Sequence, residues 1–261
     1  MTPSSALLAA TLLPLASAVE PPAPIQYDLA VDASVTGGLV AAALALTALQ
    51  GELTPAGCRW CVPDSLDRRL HDAALWGNPG AADQLSGVLA NGVVPVSMLG
   101  YLVLSAALAG NATEGLMDTL LVAEAVAASQ VLTEIAKEAV ARQRPWAYYG
   151  PNPGREGWAA NLSFFSGHTS FTFSTAAATL TVAVLRAYPG AWIAGTAGLA
   201  AAAFVGYLRM AANDHYFTDV VGGALVGGVV GFAVPYLFHG RKATEPGAVV
   251  PAPGGLAVTL W

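Results

Sequence analysis

The stretch from Val220 to Phe238 reads VVGGALVGGVVGFAVPYLF and contains no charged side chain. A helix needs about 20 mainly apolar residues to cross the hydrocarbon core of a bilayer, with about 17 as the lower limit. The stretch is therefore long and apolar enough to predict a transmembrane helix. Its many glycines are typical of membrane helices that pack closely against their neighbours.

Further apolar segments precede this one along the chain. They are Val35–Leu49, Leu85–Ala109, Leu116–Ala136, His168–Leu185 and Ala191–Leu208. Only Val35–Leu49 is shorter than a bilayer requires. The series predicts an all-α, polytopic membrane bundle of about six helices, which we assign to residues 35–240.

The composition of the 261-residue chain supports a membrane protein. Only 11% of the residues are charged, 55% are hydrophobic and the mean hydropathy is +0.55. Soluble domains carry about 25% charged residues, so the alternative is a soluble bundle with an unusually large core, which the long apolar runs disfavour. The composition also excludes a disordered chain, and a net charge of −6 argues against a nucleic-acid-binding protein.

The two ends of the chain differ from the helical domain. Residues 1–19 contain an apolar run that ends in an Ala-Ser-Ala pattern, which predicts a secretory signal peptide. The run lacks a basic residue before it, so an uncleaved anchor remains the alternative. Residues 20–34 form a short polar segment, and residues 241–261 form a Pro/Gly-rich, irregular tail whose end could pair as a strand with Ile25–Val31.

Most of the charge lies in three of the connections between the apolar segments, namely Gly51–Gln84, Arg142–Phe165 and Arg209–Asp219. If all six segments cross the membrane, these three connections lie on the same face. A site built from them would therefore lie at that face.

The first polar cluster contains Lys137 and Arg144, which are seven residues apart and would point the same way on a helix. Pro145 disfavours helical backbone at Arg144 and should end the helix there. Two cations at one helix end could bind an anion. The alternative is the positively charged cytoplasmic flank of a membrane helix.

The second cluster, Ser166-Gly167-His168, directly precedes an apolar helix. Ser166 suits the N-cap position, and the free amides of a first helical turn bind anions. His168 could supply a titratable proton. An ordinary capped helix is the alternative interpretation.

The third cluster contains Arg209, His215 and Asp219. The last two are four residues apart and would be neighbours on a helix. A carboxylate beside an imidazole fixes its tautomer and leaves the other ring nitrogen free to attack. Arg209 adds a third cation, although an ion pair at a helix start would give the same pattern.

Together, the three clusters resemble the type 2 phosphatidic acid phosphatase (PAP2) and vanadium haloperoxidase superfamily, in particular its bacterial membrane lipid phosphatases. That family's patterns are Lys-x6-Arg-Pro, Pro-Ser-Gly-His and Ser-Arg-x5-His-x3-Asp, and here they fall within residues 137–219. Phe165 replaces the proline of the second pattern, and Leu208 replaces the serine of the third.

The resemblance implies a role for each motif residue. The phosphate would be bound by Lys137, Arg144, Ser166, Gly167 and Arg209. His215 would attack phosphorus, Asp219 would orient His215, and His168 would protonate the leaving group and then activate water.

The resemblance therefore implies a membrane phosphatase that hydrolyses a lipid phosphate or diphosphate through a phosphohistidine. It implies no cofactor and no metal ion, and vanadate is expected to inhibit as a transition-state mimic. The expected partners are the lipid substrate and the bilayer, whereas the lipid head group and the oligomeric state are not identified. A vanadate-dependent haloperoxidase and a non-catalytic PAP2-like membrane protein are the alternatives.

Cys58 and Cys61 lie in the first polar connection, where a local disulfide is the preferred interpretation and a reduced pair or a shared metal site the alternative. A disulfide favours an extracytoplasmic face, as does the position of Arg186, Arg241 and Lys242 on the opposite face. We therefore expect a bacterial inner-membrane protein with an extracytoplasmic site. An exported N-terminus followed by six spans would instead put the site in the cytoplasm.

Three acidic residues, Asp118, Glu124 and Glu134, lie inside the third apolar segment and need an interpretation. Glu134 is one turn from Lys137 and is expected to pair with it. Glu124 falls near the middle of the membrane, where we expect a protonated or hydrogen-bonded structural role.

Overall fold

The structure, a computed structural model, describes residues 24–150 and 157–240 and two strands, β1 (Val249–Ala252) and β2 (Gly255–Val258). The helices are α1 Leu29–Ala48, α2 Gln50–Leu53, α3 Ser65–Ala74, α4 Pro79–Val88, α5 Val94–Leu108, α6 Ala112–Val140, α7 Pro145–Tyr149, α8 Gly167–Leu185, α9 Ala191–Ala211 and α10 Phe217–Phe238. A π-helical segment, Leu89–Val93, joins α4 to α5, and a 3-10 turn, Trp158–Asn161, precedes α8. The predicted helical membrane bundle is confirmed.

Within the described residues, the helical stretches long and apolar enough to cross a membrane are Leu29–Ala48, Pro79–Leu108, Ala112–Val140, Ala191–Ala211 and Phe217–Phe238. The chain is thus an integral membrane protein. The prediction that Val35–Leu49 is too short was wrong, because α1 begins six residues earlier, where the Asp28 side chain accepts bonds from the amides of Ala30 and Val31. The last residues of the polar segment assigned to residues 20–34 therefore belong to helix α1, from Leu29 onward.

Helix α8, predicted as a span, is not among these stretches. It is 19 residues long and rich in serine and threonine, and most of these side chains are buried. It packs against α10, α9 and α6. Helix α8 is therefore the interior helix of the bundle, surrounded by helices that are more apolar.

Glycines on α10 allow its backbone to lie directly against that of α8. A Cβ atom at Gly223, Gly227 or Gly231 would come within 2.6 Å of a backbone carbonyl oxygen of α8 or its cap. Such contacts are too close for any side chain, so α10 and α8 can approach this closely only with glycine at those positions. This packing brings the start of α10 next to the start of α8.

The three polar connections meet at one end of the bundle, as predicted. Arg142 is paired with Asp67 on α3, Arg209 donates to Asp83 on α4 at 2.5 Å, and His71 lies 2.8 Å from the Asn213 side-chain oxygen. Each polar connection therefore contacts both of the other two, and the three together form one surface.

The C-terminal tail forms a hairpin. Strand β2 pairs antiparallel with β1, with Val249 opposite Val258. The suggested pairing with Ile25–Val31 was wrong, since the chain enters α1 at Leu29. The predicted signal peptide, residues 1–19, lies outside the described residues.

Candidate active site

The ends of four long helices carry most of the predicted site residues. Helix α6 contributes Lys137 from its last turn, α8 begins with Gly167 and His168, α9 contributes Arg209, and α10 contributes Asp219. The charges of Lys137, Arg144 and Arg209 all act on His168, together with that of Asp214. The structure therefore brings the three sequence clusters into one site.

Arg144 reaches the site by a different route from the one predicted. Helix α6 ends at Val140, Ala141 adopts a left-handed conformation with φ of 46°, and Arg144 sits at the N-cap of α7. Its Nε donates to the carbonyl of Ala159 at 3.0 Å, and its terminal nitrogen NH1 donates to the carbonyl of Asp214 at 3.2 Å. Lys137 and Arg144 are thus brought together by a turn and do not share a helix face.

Lys137 donates to Glu134 at 2.8 Å, which confirms the predicted pair. Its Nζ lies close to the first residue of α8, because a Cβ atom at Gly167 would be 3.3 Å from it. The absence of a side chain at Gly167 therefore leaves the ammonium beside the amides of the α8 N-terminus, an arrangement suited to an anion.

Ser166 occupies the N-cap of α8, but its side chain makes no capping hydrogen bond. Its hydroxyl oxygen instead accepts from the Thr169 hydroxyl at 2.9 Å, and its backbone N–H donates to the carbonyl of Asp219 at 3.0 Å. The side chain of Ser166 thus provides no hydrogen-bond acceptor for the first-turn amides of α8. A bound phosphate could supply one.

Arg209 is held by groups that the sequence did not single out. One terminal nitrogen donates to Asp83 at 2.5 Å and to the Ser86 hydroxyl at 2.9 Å, and the other donates to Asp214 at 2.5 Å. These contacts fix the orientation of the guanidinium plane. Asp214 was adjacent to His215 in the motif, whereas Asp83 and Ser86 gave no signal in the sequence.

The imidazole of His215 is oriented by a backbone carbonyl. Its Nδ1 lies 2.8 Å from the carbonyl oxygen of Ser163, so Nδ1 carries the proton and Nε2 keeps a lone pair. Nε2 lies 3.4 Å from an Arg144 terminal nitrogen. Nε2 of His215 is therefore unprotonated and adjacent to the guanidinium of Arg144.

Asp219 does not contact His215 directly. Its nearest oxygen is 3.8 Å from His215 Nδ1, which is too long for a hydrogen bond. Helix α10 begins only at Phe217, so the predicted helical spacing does not apply to His215. Asp219 accepts instead from the Ser163 hydroxyl at 2.6 Å and the Tyr216 amide at 2.8 Å, and it thereby holds the residues on either side of the imidazole.

Arg142, which the sequence did not single out, supports this arrangement from behind. It is 1% exposed and paired with both Asp67 and Asp219. Its guanidinium lies between two rings, 3.7 Å from the centre of Trp60 and 4.4 Å from that of Tyr216. Trp60 belongs to the loop in which Cys58 and Cys61 are joined by a disulfide.

Burial, reinforced by the positive charges of Arg144 and Arg209, holds the pKa of His215 well below its ordinary value of 6.5. The imidazole therefore stays neutral at pH 7 and below, the protonation state that a nucleophile requires. Folding thus opposes protonation of this residue, whereas the unfolded chain protonates it freely.

This pKa shift makes the stability of the protein depend on pH. A lowered pKa in the folded state gives a contribution that is complete above pH 6.5 and is lost as the pH falls. Each pH unit below that value costs up to about 1.4 kcal/mol, until the pH reaches the folded-state pKa. As the pH is lowered below 6.5, the free energy of unfolding in detergent micelles should fall further in the wild type than in His215→Gln, and the difference should be the cost given above. Equal losses in the two proteins would show that His215 is not held neutral.

The chain was compared with known proteins. The family model described as "PAP2 superfamily" matches residues 118–243. A similar solved structure is the transmembrane PAP2-type phosphatidylglycerolphosphate phosphatase from Bacillus subtilis, with 19% identity, a TM-score of 0.46, and coverage of 78% of this chain and 93% of that one. No curated protein matches the chain. The matched residues include all three motifs and the converging helix ends described above, so the chain is similar to the PAP2 superfamily over residues 118–243.

Proposed function

We propose that this protein is a membrane phosphatase that hydrolyses a lipid phosphate or diphosphate through a phosphohistidine, without a metal ion in the reaction. The observation that carries the proposal is the neutral Nε2 of His215, 3.4 Å from Arg144, at a site where three cations meet the N-terminus of α8. Phosphoryl transfer depends mainly on positioning and charge neutralisation, and this site is suited to both.

In the proposed reaction, His215 Nε2 forms a bond to phosphorus as the bond from phosphorus to the lipid oxygen breaks. His168 gives its proton to the departing oxygen, so the lipid alcohol leaves neutral. His168 then takes a proton from a water molecule, whose oxygen attacks the phosphohistidine and releases inorganic phosphate. Lys137, Arg144 and Arg209 stabilise the charge on the phosphoryl oxygens in both steps.

The cations are paired with carboxylates before substrate binds. Lys137 is paired with Glu134, and Arg209 lies between Asp83 and Asp214. These carboxylates hold the cations in place in the absence of phosphate. An entering phosphate would therefore meet donors that are already oriented, which reduces the cost of reorganisation.

An apolar cavity supports a lipid as the substrate. Its volume is about 320 Å³, in the range of ligand pockets, and it lies between α1, α5, α6 and α8. Phe171 and Thr175 line it, three and seven residues after His168 on the same helix. Gln130 lines it from α6, seven residues before Lys137. The cavity thus begins about one helical turn from the proposed phosphate-binding residues along α8 and about two turns along α6, or roughly 5–10 Å.

Filling the cavity should separate lipid from soluble substrates. In Ala127→Phe, kcat/KM for a long-chain lipid phosphate should fall about 10-fold or more, while a short water-soluble aryl phosphate keeps its rate. Initial rates of phosphate release, measured immediately after EDTA is added, should be unchanged, and vanadate should inhibit. Leu225→Phe, at an exposed position on α10, is the matched control. Equal losses of kcat/KM for both substrates, or no loss for either, would argue against an acyl chain in this cavity. Separately, loss of the initial rate with EDTA would argue against metal-independent chemistry.

The disulfide between Cys58 and Cys61 supports placing the site on the extracytoplasmic face, as part of the same proposal. The residues before α1 lie at the other end of the bundle, where the amide of Gln26 donates to the carbonyl of His239. With α1, α4–α5, α6, α8, α9 and α10 all crossing, they would be cytoplasmic. A membrane-impermeant thiol reagent should then label Cys58 in intact cells after reduction. If Cys58 is not labelled, the site lies on the opposite face of the membrane.

A further inference from the structure

A second group of ionisable side chains lies buried away from the candidate active site, where the start of α1 and the end of α10 meet the middle of α6. Asp32 is in the first turn of α1, Glu124 is on α6 and His239 directly follows α10. A ligand atom from each of the three lies within 4.8 Å of the other two. His239 is 20 residues beyond Asp219, or roughly 30 Å along α10, so the group takes no part in the chemistry at His215.

The imidazole of His239 points an unprotonated nitrogen at Glu124. Its Nδ1 lies 3.1 Å from the carbonyl oxygen of Gln26, which assigns the proton to Nδ1. Its Nε2 lies 3.5 Å from Glu124 Oε2, and neither atom has a hydrogen-bond partner. Histidines that bind metals typically donate their other nitrogen to a backbone carbonyl or carboxylate in this manner.

Each of the three residues is more than nine-tenths buried, with exposures of 7% for Asp32, 8% for Glu124 and 4% for His239. In residues 24–150 and 157–240, no lysine or arginine forms a salt bridge with either carboxylate. With the imidazole neutral and both carboxylates ionised, the group would carry two negative charges in a region that solvates charge poorly. Buried charges need a partner, and one divalent cation would balance both.

The spacing of the group also suits a cation. Ligand atoms about 2.0–2.1 Å from a tetrahedral ion are about 3.4 Å apart, close to the 3.5 Å between His239 Nε2 and Glu124 Oε2. The Thr36 hydroxyl, one turn after Asp32 on α1, is also buried without a hydrogen-bond partner. It offers an additional oxygen near the group.

We propose that Asp32, Glu124 and His239 bind one divalent transition-metal ion of the zinc class. The donor set of two carboxylates and one imidazole matches the preferences of this class. The ion would join the start of α1 to α6 and to the end of α10, so its role is structural. The inference is independent of the proposed phosphatase activity.

The proposal predicts a metal content that depends on these side chains. The full-length protein, purified in detergent with an affinity tag that contains no histidine, is stripped with EDTA and then dialysed against Zn²⁺. We expect about one Zn²⁺ per chain by mass spectrometry and a higher unfolding temperature than for the stripped protein. In Glu124→Gln and His239→Gln the affinity should fall about 10-fold or more, with Glu52→Gln, an exposed acid on α2, as the matched control.

A Co²⁺-loaded sample adds a spectroscopic readout, since its visible absorption reports imidazole and carboxylate ligation. The wild type and His215→Gln should share this absorption, and His239→Gln should lose it. The proposal is overturned if the wild type binds no Zn²⁺, Co²⁺ or Mn²⁺, or if His239→Gln binds as much metal as the wild type. If Glu124→Gln changes the unfolding temperature but metal ions do not change that of the wild type, the group is an ion pair between protonated His239 and Glu124.

Discussion

Replacing His215 with alanine should remove phosphate release from every substrate, lowering kcat by about 10⁴-fold or more. Removing a nucleophile that forms a covalent intermediate has an effect of this size in other hydrolases. The reason here is geometric, because His215 Nε2 carries no proton and lies 3.4 Å from a terminal nitrogen of Arg144. The phosphate-binding residues remain in the variant, so binding should be affected much less than turnover.

The covalent step can be tested separately from the overall rate. A lipid phosphate labelled with ³²P, mixed with the wild type and quenched in base, should leave label on the protein that is stable to base and labile to acid. His168→Gln should acquire this label more slowly and retain it longer, because it lacks both the proton donor for the leaving group and the group that activates water. His215→Ala should not acquire it.

An unchanged unfolding temperature and retained binding of inorganic phosphate would show that His215→Ala is folded. Full phosphate release by that folded variant, or label on a different residue, would contradict the assignment of the nucleophile. Loss of release in a variant that no longer binds inorganic phosphate would indicate a collapsed site and would not support a role in catalysis.

The sequence was informative where function depends on side-chain chemistry at helix ends. The Ser166-Gly167-His168 stretch predicted the start of α8, and the structure begins that helix at Gly167. The glycines of Val220–Phe238 predicted close helix packing, and three of them lie against the backbone of α8. In both cases the local residue type restricts what the chain can do there.

The sequence was less informative where spacing was translated into geometry. The seven-residue interval between Lys137 and Arg144 suggested one helix face, but the chain leaves the helix at Ala141. Likewise, His215 precedes α10 and is not one turn from Asp219 on that helix. A motif fixes the order and separation of its residues, whereas several backbone paths can bring the same residues together.

Other contributors could not be predicted because they carry no local signal. Ser163 orients His215 through its backbone carbonyl, which every residue possesses. Asp83 meets Arg209 only because α4 packs against α9, and that packing is a tertiary property. The start of α1 was misplaced because Asp32 suggested a polar segment, although its side chain is buried in the bundle.

Arg142→Met should be among the most destabilising single substitutions in the described part of the chain. Arg142 is paired with Asp67 and Asp219, whose side chains are fully buried. Removing one partner of a buried ion pair typically costs about 3–5 kcal/mol, because the remaining charge stays buried without compensation. Here two carboxylates would remain, and the contacts with the rings of Trp60 and Tyr216 would be lost as well.

The free energy of unfolding in mixed detergent micelles measures this effect, with the exposed Arg69→Met as the matched control, for which a change within about 0.5 kcal/mol is expected. Arg142→Lys should fall between the two, because an ammonium keeps the charge but cannot bind two carboxylates through a planar fork. Adding Asp67→Asn to Arg142→Met should recover part of the loss, since it removes one of the two uncompensated charges. If Arg142→Met were as stable as Arg69→Met, the buried network could not be what holds Asp219, and through it the residues flanking His215, in position.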